Sequence, residues 1–247
     1  MKNKFILSCI VINYIIICIF GFSKATPIIR GEEYGNIVSR GYTDEKVVAL
    51  TFDDGPHPEF TNKILDLLKE YDVKSTFFVL GKLAEKYPEI IRRQWEEGHE
   101  IGNHTYSHIN IKNSPKERII EEYEKTQNII TSITNEAPKL FRPPYGAFNH
   151  NALDIMEAHD SVLVLWSEGQ DSRDWSNPEV EKIVNTTLTN IKNGDIILFH
   201  DYVYYDESNT IEALKLILPA LKSRGYRFVT VSELIDINSK SNNKIQH

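Results

Sequence analysis

Val47-Val48-Ala49-Leu50-Thr51-Phe52-Asp53-Asp54-Gly55-Pro56 is the stretch whose reading decides the fold. The apolar run Val47-Val48-Ala49-Leu50, carried without a break into Thr51, reads as a buried strand. The run ends on two adjacent carboxylates. Holding them charged there is costly unless something compensates, and a metal ion would do so. One carboxylate can then ligate while its neighbour serves as a base, with Gly55-Pro56 turning the chain so that both face a cleft. A strand followed by a plain acidic turn is the alternative, and this stretch alone does not choose between them.

From Val47 onward, short apolar segments alternate with amphipathic ones, which predicts an α/β fold with parallel strands and helical crossovers. Strands are expected at 47–52, 76–80, 100–102, 140–141, 162–166, 195–199 and 227–231, about seven in all. Between them, Ile64, Leu65, Leu67, Leu68 and Tyr71 form one helix face, and Ser114-Pro115-Lys116-Glu117 reads as a capping box with proline at N1. Another helix is expected to start at Asn177-Pro178 and stop at Asn193-Gly194, and a further one to end at Gly225 with a kink at Pro219. The 247 residues suit a single catalytic domain over 46–238, with a polar, frayed tail at 239–247.

Ahead of this domain, Lys2 and Lys4 precede an apolar run from Phe5 to Phe22, about 18 residues and just long enough to span a bilayer. Residues 1–25 therefore read as a targeting segment. Ser23-Lys24-Ala25 favours cleavage as a signal peptide, and the length of the run favours an uncleaved anchor. Either outcome exports the rest to the cell surface or beyond, with membrane contact confined to this segment. Residues 26–45, with Pro27, Gly31, Gly35 and Gly41, read as a linker. A net charge of −7 argues against a nucleic-acid partner. Both cysteines, Cys9 and Cys18, lie in the apolar run, so the domain has no disulfide, cysteine zinc site or thiol nucleophile.

Further polar clusters sit at expected strand ends. His104-Thr105-Tyr106-Ser107-His108 carries two imidazoles four residues apart, a spacing that places both on one face of a helical turn. With Asp54 they make a set of two histidines and one carboxylate, suited to Zn²⁺ or another divalent first-row ion with positions left open for catalysis. In Arg142-Pro143-Pro144-Tyr145-Gly146 the prolines stiffen the backbone, so that the Tyr145 and Gly146 N–H groups can serve as oxyanion donors, and Arg142 can hold a carboxylate such as Asp53. After the fifth strand comes Asp171-Ser172-Arg173-Asp174-Trp175, and Leu198-Phe199-His200-Asp201 ends the sixth. Asp174 can bond one nitrogen of His200 and raise its pKa for work as a general acid, while Trp175 and Leu198 either pack or wall a pocket. Strand ends on one side of a parallel barrel form its active face, and five clusters meet there. His57, His99, His150, His159 and His247 lack such partners and read as structural or solvated.

In order, TFDDGP, HTYSH, RPPYG, DSRDW and LFH resemble the five motifs of the polysaccharide deacetylases of carbohydrate esterase family 4. The resemblance spans 46–234. It implies a distorted (β/α) barrel and metal-dependent removal of acetyl groups from N-acetylglucosamine polymers such as peptidoglycan or chitooligosaccharide. Carried over, it makes Asp53 the general base and Asp54, His104 and His108 the ligands of a divalent ion, Zn²⁺ first and Co²⁺ or Ni²⁺ as alternatives. His200 becomes the general acid oriented by Asp174, Arg142 orients Asp53, the Tyr145 N–H stabilises the oxyanion, and Trp175 with Leu198 encloses the acetyl methyl. Three departures from the family pattern stand out: a longer stretch at Trp166-Ser167-Glu168-Gly169-Gln170, Ile109 where proline is common, and Tyr202-Val203-Tyr204-Tyr205 where relatives are glycine-rich. These tyrosines are expected to stack on sugar rings. The rival readings are an O-acetyl esterase or non-sugar amidase with the same fold and metal, and a silent cell-wall-binding protein, against which stands the complete set of catalytic groups.

Overall fold

A computed structural model of the protein describes residues 37–203, 205 and 207–245. The targeting segment expected at 1–25 lies outside them, and among the described residues no helix is long and apolar enough to cross a membrane. The strands β1 (Ile37–Val38), β2 (Val47–Asp53), β3 (Thr76–Val79), β4 (Glu100–Asn103), β5 (Leu140–Phe141), β6 (Val162–Val164) and β7 (Asp195–His200) stand in the order β1-β6-β5-β4-β3-β2-β7. Every pairing is parallel, and β8 (Arg227–Phe228) joins the start of β2. The crossovers carry α1 (Phe60–Glu70), α2 (Gly81–Lys86), α3 (Pro88–Glu96), α4 (Lys116–Thr134), α5 (His150–Ala158), α6 (Val180–Leu188) and α7 (Asn209–Ser223), with α8 (Val231–Ile245) at the end.

Alternation along β2 divides the core. Val48, Leu50 and Phe52 point outward into a cluster with Ile64, Leu65 and Leu68 of α1 and Leu214, Ile217 and Leu218 of α7. Phe52 stacks between Phe77 at 5.0 Å and Phe199 at 5.9 Å. Val47 and Ala49 point the other way, into an inner cluster with Phe78, Leu140, Val164, Ile196 and Leu234. The period of two then places Thr51 and Asp53 on that inner face, above the apolar floor.

The sheet curls, and the long stretch after β6 bridges its open side. Ser167 N–H donates to Ile196 O at 2.9 Å, Leu198 N–H to Gln170 O at 2.9 Å, and Ser172 N–H to Leu198 O at 3.2 Å. Residues 167–172 thus complete a distorted barrel beside β7 without forming a long regular strand.

Several local expectations need correction. Ile37–Val38, within the stretch read as linker, pairs in parallel with Leu163 and Val164. The polar tail is helical through Ile245 as part of α8. Ser114 caps nothing, since its hydroxyl donates to Asn110 O and α4 begins after Pro115. The helix expected from Asn177 runs only over Val180–Leu188, because Asn177 itself is left-handed at φ 46°.

Candidate active site

At the carboxyl end of β2 the chain places Asp53 and Asp54 in different surroundings. Asp53 faces the barrel interior and receives Arg142 Nη1 on Oδ1 at 2.7 Å. Arg142, at the end of β5, is fully buried (0 %). Nη1 also donates to Thr51 Oγ1 at 2.8 Å, Nε and Nη2 reach Val164 O and Leu165 O at 3.4 Å each, and the guanidinium lies 4.1 Å from the Phe78 ring centroid. Burial pulls the Arg142 pKa down, and Asp53 opposes that pull. The pair is fixed and aimed.

Asp54 turns out of the strand with φ 75°. Its Oδ1 lies 3.4 Å from His104 Nε2 and 3.2 Å from His108 Nε2. The three candidate ligand atoms lie within 4.8 Å of one another. Asp54 Oδ1 is buried with no hydrogen-bond donor in place, an orphaned oxygen facing two imidazole nitrogens. That is the donor set a divalent cation would satisfy. Burial alone would raise the Asp54 pKa, but His104, His200 and His108 around it bring it to about 2, so the carboxylate is ready to ligate. His104 Nδ1 sits 2.7 Å from Arg142 O, which selects Nε2 as the free nitrogen. For His104, burial works against the charged ring, and Asp53 and Asp54 overcome it and raise the pKa, so a metal held there would compete with a proton. The His108 pKa is lowered, by burial first and then by His104.

The two histidines do not share a helical turn as their spacing suggests. Residues 104–108 form an irregular loop in which Thr105 (φ 68°) and His108 (φ 63°) are both left-handed.

Opposite, His200 ends β7. Its Nδ1 is 2.7 Å from Asp174 Oδ1, its backbone N–H donates to Asp174 Oδ2 at 2.8 Å, and Thr210 Oγ1 donates to that same oxygen at 2.8 Å. Burial alone would lower the His200 pKa, but the Asp174 carboxylate, aided by Asp54 and Asp53, lifts it to about 9. The pair stabilises the fold fully below pH 6.5, and this contribution fades as pH rises through 9. Leu198 lies two residues before His200 on the same strand face and is buried, whereas Trp175 and Tyr145 are 54 % and 66 % exposed. Tyr145 adopts φ 62° beside His108, ring centroids 4.7 Å apart. Of the two N–H groups expected to be free, that of Gly146 donates to Pro143 O at 3.0 Å and is not free.

Sequence reasoning missed Asp201. It is buried beneath the Asp53-Asp54-Gly55 turn, where it accepts Thr61 Oγ1 at 2.7 Å. Burial pushes its pKa up to about 7. A Cβ on Gly55 would lie 2.1 Å from Asp201 Oδ2, so any larger residue there would have to displace that carboxylate. Of the histidines set aside, His57 accepts the Glu59 and Phe60 N–H groups and His99 accepts that of Ser75 inside the core, as structural residues do. In the tyrosine stretch Tyr202 meets His57 edge-on at 5.3 Å and Tyr205 is exposed, while Tyr204 lies outside the described residues.

A curled parallel barrel with two histidines, an orphaned carboxylate, a buried Asp–Arg pair and an Asp-backed histidine on its carboxyl rim defines a hydrolase of the metal-dependent class. Residues 40–164 match the family model for polysaccharide deacetylase. The chain is 45 % identical, over 78 % of its length and 89 % of the relative's, to a peptidoglycan-N-acetylglucosamine deacetylase of Bacillus cereus. The crystal structure of the Bc1960 peptidoglycan N-acetylglucosamine deacetylase superposes with a TM-score of 0.78 at 41 % identity, covering 81 % of this chain and 92 % of that one. A family 4 acetyl xylan esterase from Clostridium thermocellum, solved with a cobalt ion, gives 0.72 at 38 % identity, covering 78 % and 91 %. The chain belongs to the polysaccharide deacetylase family and is an enzyme of that class. Asp174 and His200 lie beyond the segment that the family model matches, and their geometry here stands on its own.

Proposed function

We propose that this enzyme removes N-acetyl groups from N-acetylglucosamine units of peptidoglycan at the cell surface, releasing acetate. The observation that carries the reading is the convergence of Asp54, His104 and His108 beside the Arg142-held Asp53 and across from the Asp174–His200 pair. A divalent ion in that triad, Zn²⁺ in our reading, supplies Lewis-acid polarisation of the amide carbonyl and a lowered pKa for water. Asp53 takes the proton of the attacking water. Arg142 keeps that carboxylate aimed, and the Tyr145 N–H donates to the oxyanion as the carbonyl carbon becomes tetrahedral. His200 presents Nε2, since Nδ1 faces Asp174, and passes its proton to the departing amine. Trp175 and Leu198 border the acetyl methyl.

Peptidoglycan is favoured over other N-acetylated glycans by the names of the relatives above and by the basic, apolar N-terminus, which supports export, whether cleaved or kept as an anchor. The likeness to an acetyl xylan esterase makes ester hydrolysis the second reading. Acetate release by the full-length protein from purified peptidoglycan, N-acetylglucosamine pentamer and acetylated xylan separates them. Release from peptidoglycan exceeding the others supports the proposal, and release from acetylated xylan alone contradicts it.

The pH dependence tests the acid. With His200 titrating near 9, kcat/KM falls on the alkaline side as pH passes that value. Replacing Asp174 by Asn removes the charge that lifts the imidazole, so the alkaline limb is expected to move down by at least one pH unit. An unmoved limb in a folded Asp174→Asn protein assigns the limb to another group.

A further inference from the structure

The two histidines of the site are held in different ways. His104 has its Nδ1 fixed by Arg142 O. Among the described residues, no hydrogen bond to the ring of His108 is found: its Nε2 lies 3.2 Å from Asp54 Oδ1, and the ring rests against His104 and Tyr145. A ligating histidine is normally aimed through its second nitrogen. For His108 that task falls to the backbone that carries it.

This backbone is clamped from three sides. Gly81 N–H and Lys82 N–H at the start of α2 donate to Thr105 O and Tyr106 O at 2.9 and 3.0 Å. Thr105 Oγ1 accepts the His108 N–H at 3.1 Å, and Asn103 Oδ1 accepts the Thr105 N–H at 2.9 Å. The third clamp comes from α4. Glu122 is 2 % exposed, and its two oxygens each take one bond from Ser107, the backbone N–H on Oε2 at 2.6 Å and the hydroxyl on Oε1 at 2.6 Å. Arg118, one turn earlier, donates to Oε1 at 2.5 Å. Ser107 immediately precedes His108, in a loop that needs left-handed conformations at Thr105 and His108, neither of them glycine. Such conformations persist only where the surroundings over-determine them. A buried carboxylate with bidentate hold on Ser107 is one such determinant, and it is charge-assisted.

We infer that Glu122 is a positioning residue of the metal site: through Ser107 it sets the backbone from which His108 reaches the ion. This role rests on the ligand set proposed above. Its direct consequence concerns the affinity of the triad for a cation, before any substrate is present.

The test is the Zn²⁺ dissociation constant of the full-length apoprotein, measured by competition with a chromophoric chelator, together with the visible spectrum of the Co²⁺ form. Wild type, Glu122→Gln, Glu122→Ala, Ser107→Ala and His108→Ala are compared at a temperature well below their unfolding midpoints. Loss of the carboxylate in Glu122→Ala is expected to weaken Zn²⁺ binding about 10- to 100-fold and to alter the Co²⁺ bands. Glu122→Gln, which keeps one acceptor for the Ser107 N–H, loses less. A role confined to fold stability lowers the unfolding midpoint and leaves both readouts unchanged, and that result in folded Glu122→Ala overturns the inference. If Glu122→Ala does not fold, Ser107→Ala decides: several-fold weaker binding supports the role, and wild-type affinity overturns it. Equal affinity in wild type and His108→Ala is a different failure, because it removes His108 from the ligand set and the Glu122 role with it.

Discussion

Asp53→Asn is expected to lower kcat for acetate release by about 10²- to 10⁴-fold, the range that a positioned general base contributes. Its content of divalent metal should stay at the wild-type level. Asparagine keeps an oxygen to accept Arg142 Nη1, now at 2.7 Å, so the turn and the proposed ligands Asp54, His104 and His108 remain in place, while an amide cannot take a proton from water. The two adjacent carboxylates differ because of the backbone between them. Asp53 belongs to β2 and points into the barrel against Arg142, and Asp54 leaves the strand with φ 75° and points at the imidazoles. Activity with metal-content measurement on Asp53→Asn and Asp54→Asn separates the roles. The first should be loaded and inactive, the second depleted and inactive. Loss of metal from Asp53→Asn with retention in Asp54→Asn would reverse the assignment.

Arg142→Met is expected to destabilise the protein by about 3–5 kcal/mol, read as a lower urea midpoint, because it leaves a buried carboxylate without its partner. The guanidinium has no exposure and links Asp53, Thr51 and two backbone carbonyls of the β6 end above the Phe78 ring. Methionine fills the space but donates to none of them. The Asp53→Asn/Arg142→Met double variant should regain part of the loss, since no buried charge then remains unpaired. Equal losses in the single and double variants would mean that the cost arises from the carbonyls and packing, and that the ion pair contributes little.

Much of the candidate site's arrangement was legible in the chain. The continuous apolar run into Asp53-Asp54 signalled a buried strand, its alternation with amphipathic segments signalled parallel pairing, and the same pattern located the ends of β5 and β7, where Arg142 and His200 stand. All seven expected strands form, with ends shifted by up to three residues. What remained hidden has a physical reason in each case. The His104/His108 spacing identified the pair but suggested a helix, because nothing marks Thr105 and His108 as left-handed when neither is glycine. The bonds that hold this loop, from Asn103, from Glu122 to Ser107 and from the start of α2, join residues whose meeting is made by the fold. Glu122 lies 15 residues beyond Ser107 with no pattern tying them. β1 is two residues long, too short for periodicity, and exists because β6 offers an open edge. Asp201 did stand beside His200 in the sequence. Its burial under Gly55 appears only when β2 and β7 are paired.

The most direct test of the account is metal-dependent acetate release from purified peptidoglycan by the full-length protein. The enzyme is assayed as prepared, after removal of metal with a chelator, and after return of one equivalent of Zn²⁺ or Co²⁺. Chelation is expected to abolish release, and one equivalent is expected to restore it in the wild type and to fail to do so in His104→Ala. Undiminished release from the metal-free protein would contradict the account.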